Sequence, residues 1–389
     1  MKPVNYQFKI LYAIGITFVV MGHCTDGTYA GFGVFTEWFH LYSFHVGLFV
    51  FCSGYFYKDT SHKNTWEYIW KKIKTFIIPL YVWNALYAVM VYFLAKRGFT
   101  IGGEVSLSKL LIEPITSGHH FAYNMGGWFV IPLFMIEIFN VIVRKFIDLF
   151  VDCDHRNKSC EYFICILYLV LGICGNCLAQ NGLNTGWWLV LVRMLHLLPF
   201  FGIGTIYKRV LEKYDIASNT VYFIGVISIQ LVIILVYGKL PAYSQAWCSK
   251  FPEGPILPIV EGCLGIAFWL RVAKVAEPIL GRNKIVLLIA NNTFSIMIHH
   301  FLGFMFVKTV FALLYRKGYC ADFNWEAYKS DIWYHYFPKG MEQTGILYIA
   351  AGLFIPIVVQ MCCVKMRTIG AKQFHNMLKV NSLNKEKSV

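Results

Sequence analysis

Apolar runs of about 20 residues recur along this chain and limit the folds open to it. A helix of that length crosses a hydrocarbon core of about 30 Å. The predicted spans lie at about 10–30, 39–57, 76–95, 127–144, 161–179, 187–206, 220–238, 256–273, 285–308 and 343–363. Membrane β-strands would instead show alternating segments of about 10 residues. The sequence therefore predicts an all-α polytopic integral membrane protein with about ten transmembrane helices.

The charged residues, only 14% of the chain, sort between alternating loops. Most of the 35 lysines and arginines fall on one side, which includes the 58–74 segment and a polar, basic tail over 371–389. The positive-inside rule makes that side the cytoplasm. Both termini are thus predicted to be cytoplasmic, with the protein in the inner (cytoplasmic) membrane of the cell.

The net charge of +14 has the same origin. Because basic residues gather in cytoplasmic loops and no nucleic-acid motif accompanies them, the expected partner is the lipid bilayer and not a nucleic acid.

Twelve cysteines raise the question of a disulfide or metal framework. Most of them lie in or beside apolar runs, where cysteine packs as a small hydrophobe. Cys174 and Cys177 form a CxxC without a second pair, so no metal site is predicted. Cys248 and Cys320 fall in predicted outer loops, and a disulfide between them remains open.

Ionisable residues inside the apolar runs are costly and usually mark function. His23 ends the run Leu11–His23, and His300 lies in the ninth run. A rise of 1.5 Å per residue places both roughly 20 Å from the cytoplasmic end. Five further groups lie about 5 to 10 residues below the outer surface: His45, Glu137, Arg193, His196 and Glu261. Because buried charges need partners, the two glutamates are expected to pair with the arginine or a histidine.

A histidine within a span has two interpretations. It can simply form a hydrogen bond between helices, and this interpretation is favoured for His45, His196 and His299. His23 and His300 come from different spans at a similar depth, which favours a functional role. A histidine that titrates near neutrality suits general-base chemistry on a hydroxyl, and a carboxylate partner would fix its tautomer.

The segment WKKIKTFIIP precedes the third predicted span and places Lys71, Lys72 and Lys74 at the cytoplasmic face. Ordinary positive-inside anchoring explains these lysines most simply. The alternative is a clamp for the phosphates of an anionic cofactor.

A long outer loop over about 309–342 is rich in aromatic residues. An interfacial aromatic belt is the favoured interpretation of this loop. The alternative is a lid, or a platform on which sugar rings stack.

Four segments together resemble a known family. They are Leu11–His23, LYAIGITFVVMGH; Ser43–Tyr55, SFHVGLFVFCSGY; Trp128–Phe134, WFVIPLF; and Thr293–His300, TFSIMIHH. In order and spacing they resemble the membrane acyltransferase-3 family, and most closely its fucose 4-O-acetylase-like branch of surface-polysaccharide O-acetyltransferases. The resemblance implies a single acyltransferase domain over residues 1–370, followed by the basic tail.

The resemblance also implies a reaction. Members of the family move an acetyl group from cytoplasmic acetyl-CoA to a sugar hydroxyl, usually at or beyond the outer membrane face. His23 matches the family's catalytic histidine. Lys71 and Lys74 stand where the family has an Arg-x-x-Arg associated with acyl-CoA, which favours the phosphate clamp. Tyr12 occupies the position of a family arginine or lysine, and Lys9 lies one turn earlier.

The combined prediction is an O-acetyltransferase that modifies a cell-surface glycan or its lipid-linked precursor without a metal. His300 and Glu137 are expected to orient or share charge with the base, and Arg193 to stabilise the oxyanion. The predicted site residues are, for catalysis, His23, His300, Glu137 and Arg193; for acetyl-CoA, Lys71, Lys72, Lys74, Lys9 and Tyr12; and for the acceptor, His45, Trp128 and Glu261. Two alternatives stay open: a secondary transporter of a polar solute, although no inverted repeat is visible, and a catalytically inactive acyltransferase-like binding protein.

Overall fold

The structure is a computed structural model that describes residues 4–24, 38–58, 64–118, 120–150 and 158–386. Within these ranges the fold is all-helical and contains no strand. The main helices are α1 Tyr6–Cys24, α2 Leu41–Tyr55, α3 Thr65–Ala95, α4 Ala122–Ile147, α5 Lys158–Gln180, α6 Gly186–Tyr214, α7 Asn219–Tyr237, α8 Leu257–Leu280, α9 Lys284–Asn291, α10 Thr293–Arg316 and α11 Gly345–Glu386. The all-α prediction is confirmed.

Eight helices are long and apolar enough to cross a membrane: α1, α3, α4, α5, α6, α7, α10 and, in α11, Gly345–Ile369. The other two predicted spans are also helices. The α2 helix has only 15 residues, and α8 has 24 residues but carries four charged side chains. The prediction of a polytopic membrane protein is confirmed, with eight clear candidate spans where about ten were expected.

Several predicted boundaries are wrong. The ninth predicted span is two helices, α9 and α10, separated at Asn292, whose ψ of 20° is not helical. The basic segment before the third span is not a loop but part of α3, with a π-helical turn over Ile73–Ile77. Polar residues ended the predicted spans because hydropathy detects only the apolar part of a helix, whereas the backbone hydrogen bonds continue past it. Residues 25–30, predicted in the first span, lie outside the described part.

The α1 helix lies at the centre of the bundle, in contact with α2, α8, α9, α10 and α11. By contrast, α7 lies at the periphery and buries only Val226 and Gln230. We call the face where α1 begins, at Tyr6, the N-terminal face, and the face where it ends, at Cys24, the opposite face. Residues on α1 are therefore well placed to meet side chains from many helices.

The α2 and α6 helices touch backbone to backbone through two glycines. A Cβ on Gly54 would lie 2.1 Å from the Phe201 carbonyl oxygen, and a Cβ on Gly204 would lie 2.1 Å from that of Phe51. Small residues allow such close approach between membrane helices. The contact fixes α2, and with it His45, against the core of the bundle.

Gly204→Ala is expected to lower the thermal stability of the purified protein. The added methyl group meets backbone, which cannot move aside as a side chain would, and overpacking costs about 1–3 kcal/mol. Thermal unfolding in detergent measures the effect. The matched control is Gly225→Ala on α7, where an added Cβ meets nothing within 4 Å; equal melting temperatures for the two variants would contradict the close contact.

Candidate functional site

A cavity of about 330 Å³ follows one face of α1 through the bundle. Tyr12, Ile16, Val19 and His23 line it, at the three- and four-residue spacing of a single helix face. The 11 residues from Tyr12 to His23 correspond to about 16 Å along the helix. The other walls come from α2, α3, α4, α10 and two loops on the opposite face, and they are mainly apolar and aromatic.

Four of the predicted site residues line this cavity: Tyr12, His23, His45 and Trp128. The remaining eight do not. Of these, His300 bonds to His23 directly, whereas the others lie behind the walls or toward one face of the protein. The predicted set is thus divided between one shared cavity and several separate structural contacts.

His23 and His300, predicted at a similar depth in different spans, form a hydrogen-bonded pair. His23 Nδ1 lies 3.0 Å from His300 Nε2, and the two rings stack with centroids 4.9 Å apart. His300 is fully buried, whereas His23 is half-buried and lines the cavity. A Cβ on Gly126 of α4 would lie 2.1 Å from the Met297 carbonyl oxygen, so this glycine allows α4 to pack directly against α10 beside the pair.

The hydrogen bonds of His300 define the tautomers of the neutral pair. His300 Nδ1 lies 3.0 Å from the carbonyl oxygen of Ile296 and 2.9 Å from that of Met297. A carbonyl oxygen only accepts, so His300 Nδ1 carries the proton and His300 Nε2 is the acceptor. His23 Nδ1 then donates to His300, which makes His23 Nε2 the basic nitrogen. Such a chain of donors fixes both the tautomer and the orientation of the ring.

His45 places a second imidazole in the same cavity. Its Nδ1 donates to the Leu41 carbonyl oxygen at 2.5 Å, so its Nε2 is also the basic nitrogen. The Tyr42 ring lies 5.5 Å from the His45 ring, and the Tyr42 hydroxyl donates to the carbonyl of Gly22, directly before His23. Tyr42 was not among the predicted site residues, because nothing in its spacing in the sequence distinguishes it from an apolar aromatic.

Glu137 does not assist the histidine pair. Its carboxylate forms an ion pair with Lys72 at 2.6 Å and accepts a hydrogen bond from the Tyr68 hydroxyl, both from α3. The expected pairing with an arginine or a histidine is therefore wrong. Because α4 begins at Ala122 and not at 127, Glu137 lies further along its helix than predicted, nearer the N-terminal face.

Lys72→Met is expected to destabilise the protein through Glu137. The Glu137 side chain is only 4% exposed, and removing one partner of a buried ion pair costs about 3–5 kcal/mol. Adding Glu137→Gln removes the uncompensated charge and is expected to restore most of the loss. Thermal unfolding of the two single variants and the double variant gives the coupling; strictly additive effects would show that the pair is not formed.

Arg193 and Glu261 also have other partners than expected. Arg193 Nε donates to the Ala246 carbonyl oxygen at 2.5 Å and its Nη1 to that of Ser117 at 3.0 Å, while the guanidinium stacks over Trp128. Glu261 accepts a hydrogen bond from Gln230 at 3.1 Å. The pairing predicted between these charges is wrong, because depth along a helix does not say which way a side chain points.

The residues predicted for acetyl-CoA are dispersed. Tyr12 lines the cavity. Lys72 turns inward, with Nζ 5.1 Å from the ring of Phe76, which also lines the cavity. The Lys71 and Lys74 side chains are exposed on α3. Lys9 donates to Asn291 at 2.6 Å and thereby joins α1 to α9.

A buried ionic cluster near the N-terminal face was not predicted as a unit. Arg144 binds both carboxylate oxygens of Glu161, at 2.7 and 2.9 Å, and Arg209 bonds to the same carboxylate. Both guanidinium groups lie over the Tyr57 ring. In the sequence these two arginines only stand at the ends of apolar runs, and the packing of α4, α5 and α6 brings them to one carboxylate.

The two cysteines left open by the sequence are both free thiols in the structure. Cys248 is buried, and burial raises the pKa of its thiol to about 12. It therefore stays protonated at neutral pH and behaves as a small packed side chain. Within the described ranges, no group of three or more His, Cys, Asp or Glu side chains is arranged to hold a metal ion.

The chain was compared with known proteins. A family model described as an acyltransferase domain matches residues 5–364, a range that includes every residue lining the cavity. No match was found among the curated proteins or among the solved structures. The family match covers nearly the whole chain, and it agrees with the four sequence segments and with the all-helical fold. The chain therefore belongs to the acyltransferase-3 family and is a membrane acyltransferase.

Proposed function

We propose that this acyltransferase is an O-acetyltransferase of the fucose 4-O-acetylase-like kind, with acetyl-CoA as donor and a surface glycan or its lipid-linked precursor as acceptor. The observation that carries the proposal is His23, held by His300 at 3.0 Å in a cavity that extends along α1 to Tyr12. A general base must stand where a donor carbonyl and an acceptor hydroxyl meet. The N-terminal face is taken as the cytoplasmic face of the inner membrane, and both termini are assigned to the cytoplasm.

The shape of the cavity supports a thioester donor. A narrow channel with mainly apolar walls suits an extended pantetheine arm, and the distance from Tyr12 to His23 is about 16 Å. The acetyl group would lie beside His23. The phosphates of CoA would stay at the N-terminal face, where Lys71 and Lys74 of α3 are exposed and the neighbouring Lys72 is held by Glu137. Lys9 is assigned to the α1–α9 contact instead, since its ammonium bonds to Asn291.

The reaction follows from the tautomers. His23 Nε2 takes the proton of the acceptor hydroxyl as its oxygen attacks the thioester carbonyl carbon. The tetrahedral intermediate collapses, the carbon–sulfur bond breaks, and the CoA sulfur leaves with the proton returned by His23. During this cycle His300 Nε2 accepts the Nδ1 hydrogen of the His23 imidazolium and so stabilises its charge.

Some residues that were predicted to support catalysis or acceptor binding are given other roles. Arg193 faces the carbonyls of Ala246 and Ser117, so we assign it to positioning the wall at Trp128 and not to the oxyanion. Glu137 supports α3 through Lys72, and Glu261 does not line the cavity. On the acceptor side, His45 and Trp128 remain the proposed contacts.

The test uses full-length protein in proteoliposomes with acetyl-CoA labelled in the acetyl group. We expect release of CoA thiol together with label on purified cell-envelope glycolipids or polysaccharides. Movement of a polar solute without consumption of acetyl-CoA would favour a transporter. Binding of acetyl-CoA without thiol release, with every acceptor fraction tried, would favour an inactive relative.

A further inference from the structure

Two tryptophans stand at the opposite-face end of the cavity. Trp247, between α7 and α8, and Trp333, between α10 and α11, line the same cavity as His23. Their side chains are 49% and 44% exposed. The ring centroid of Trp333 lies 5.8 Å from that of His23 and 5.5 Å from that of Phe301. One indole therefore faces the proposed base directly, and a second lies on another wall of the same opening.

The segment that carries Trp333 is firmly held. Lys308 of α10 is fully buried, and its Nζ donates to the Ile332 carbonyl oxygen at 2.7 Å. The backbone N–H of Trp333 donates to the Asp331 carboxylate at 2.8 Å. Burying an ammonium group is costly, so the contact that uses it fixes the backbone directly before Trp333. The backbone that carries this indole is set in advance of any ligand.

The loop that carries Trp247 is held just as firmly. The Gln245 side chain donates to the Ser43 carbonyl oxygen at 3.0 Å and accepts from the Gly47 N–H at 3.2 Å, on either side of His45 in α2. Arg193 donates to the carbonyl oxygen of Ala246, the residue between Gln245 and Trp247. Rigid loops reduce the entropy lost when a ligand binds, which is the advantage of preorganised sites.

The aromatic belt expected for the loop before α11 does not describe Trp333. Phe323 packs with five neighbouring rings at centroid distances between 5.3 and 5.9 Å, namely Tyr315, Trp325, Tyr328, Tyr334 and Tyr336. These rings bury one another. Trp333 turns away from this cluster into the cavity, whereas a belt residue would face the lipid headgroups.

We propose that Trp247 and Trp333 form the acceptor subsite, where they stack on the C–H faces of a pyranose ring. This inference rests on the proposed function and adds the residues that hold the sugar ring of the acceptor. The C–H bonds of a sugar face carry partial positive charge and suit the electron-rich face of an indole. Stacking leaves the hydroxyls at the ring edge free, so that one of them can reach His23 Nε2 and another His45.

The binding test uses full-length protein in nanodiscs, with methyl glycosides of the common hexoses as probes. Saturation-transfer-difference NMR detects contact of the ring protons without any turnover. We expect signals with the native protein and binding about tenfold weaker in Trp333→Ala and in Trp247→Ala. Trp333→Phe should recover most of the loss. The matched control is Trp66→Ala on α3, an 80% exposed tryptophan outside the cavity that should bind as the native protein does.

A kinetic measurement separates stacking from a structural effect. With the same glycosides as acceptors, the KM for sugar should rise about tenfold in each alanine variant, while kcat changes far less. Absence of sugar signals with the native protein, or equal binding in all variants, overturns the subsite. Sugar binding that depends on both tryptophans without consumption of acetyl-CoA would sink the proposed function and leave the subsite standing. Acetyl transfer that is indifferent to both tryptophans would do the reverse.

Discussion

Replacing His23 by alanine is expected to lower acetyl transfer by about 10³-fold, within the range that general acid–base catalysis contributes. The variant removes the only cavity-lining imidazole whose tautomer is set by a second histidine among the described residues. The loss should appear in kcat, because the walls that would hold the pantetheine arm are unchanged. Thiol release and label transfer in proteoliposomes measure both halves of the reaction.

A matched control is available in the same type of environment. Like His23, His196 lies in a predicted span; it is fully buried, with its Nδ1 2.7 Å from the Asn176 side-chain oxygen, and it does not line the cavity. His196→Gln keeps a polar side chain for Asn176 and should retain transfer within about threefold. If purified and folded His23→Ala protein turned over like this control, His23 would not be the base.

Counting residues along each span placed His23 and His300 at one level, but it did not give their hydrogen bond or the partners of the other charged residues. His23 and His300 could be matched because the rise per residue is fixed and both side chains happen to face each other. For Glu137, Arg193 and Glu261 the same count gave only a level in the membrane. Their partners depend on helix rotation and on which helices are neighbours, neither of which is written in hydropathy.

The two tryptophans at the opposite-face end of the cavity could not be predicted either, and the reason is a different one. Trp247 and Trp333 lie in loops, far apart in sequence, and each resembles the other interfacial aromatics of this chain. What places these two side chains at the cavity is a small number of buried contacts, such as the bond from Lys308 to the Ile332 carbonyl oxygen. In sequence Lys308 is only an isolated charge at the end of an apolar run, and its burial is visible only in the structure.

His300→Phe is expected to lower kcat for acetyl transfer by about 10²-fold while the KM for acetyl-CoA stays nearly constant. Phenylalanine keeps an aromatic ring of similar size against Phe301 and Phe304, so packing survives. It removes the acceptor for the His23 Nδ1 hydrogen and leaves the His23 tautomer and ring angle unfixed. In Ser-His-Asp triads, losing the aspartate that orients the catalytic imidazole lowers kcat by up to about 10⁴-fold. Steady-state kinetics of the reconstituted protein provides the measurement.

The glutamine variant distinguishes an oriented base from a packed ring. His300→Gln fills less of the ring space but restores an acceptor oxygen within reach of His23 Nδ1. If His300 acts as that acceptor, the glutamine variant should recover at least about tenfold of the activity that phenylalanine loses. Equal loss in both variants would assign His300 to packing alone, and native activity in His300→Phe would remove it from the mechanism. Glutamine packs worse than phenylalanine at this position. A higher kcat in His300→Gln than in His300→Phe would therefore show that the hydrogen bond to His23, and not packing, is what His300 contributes to catalysis.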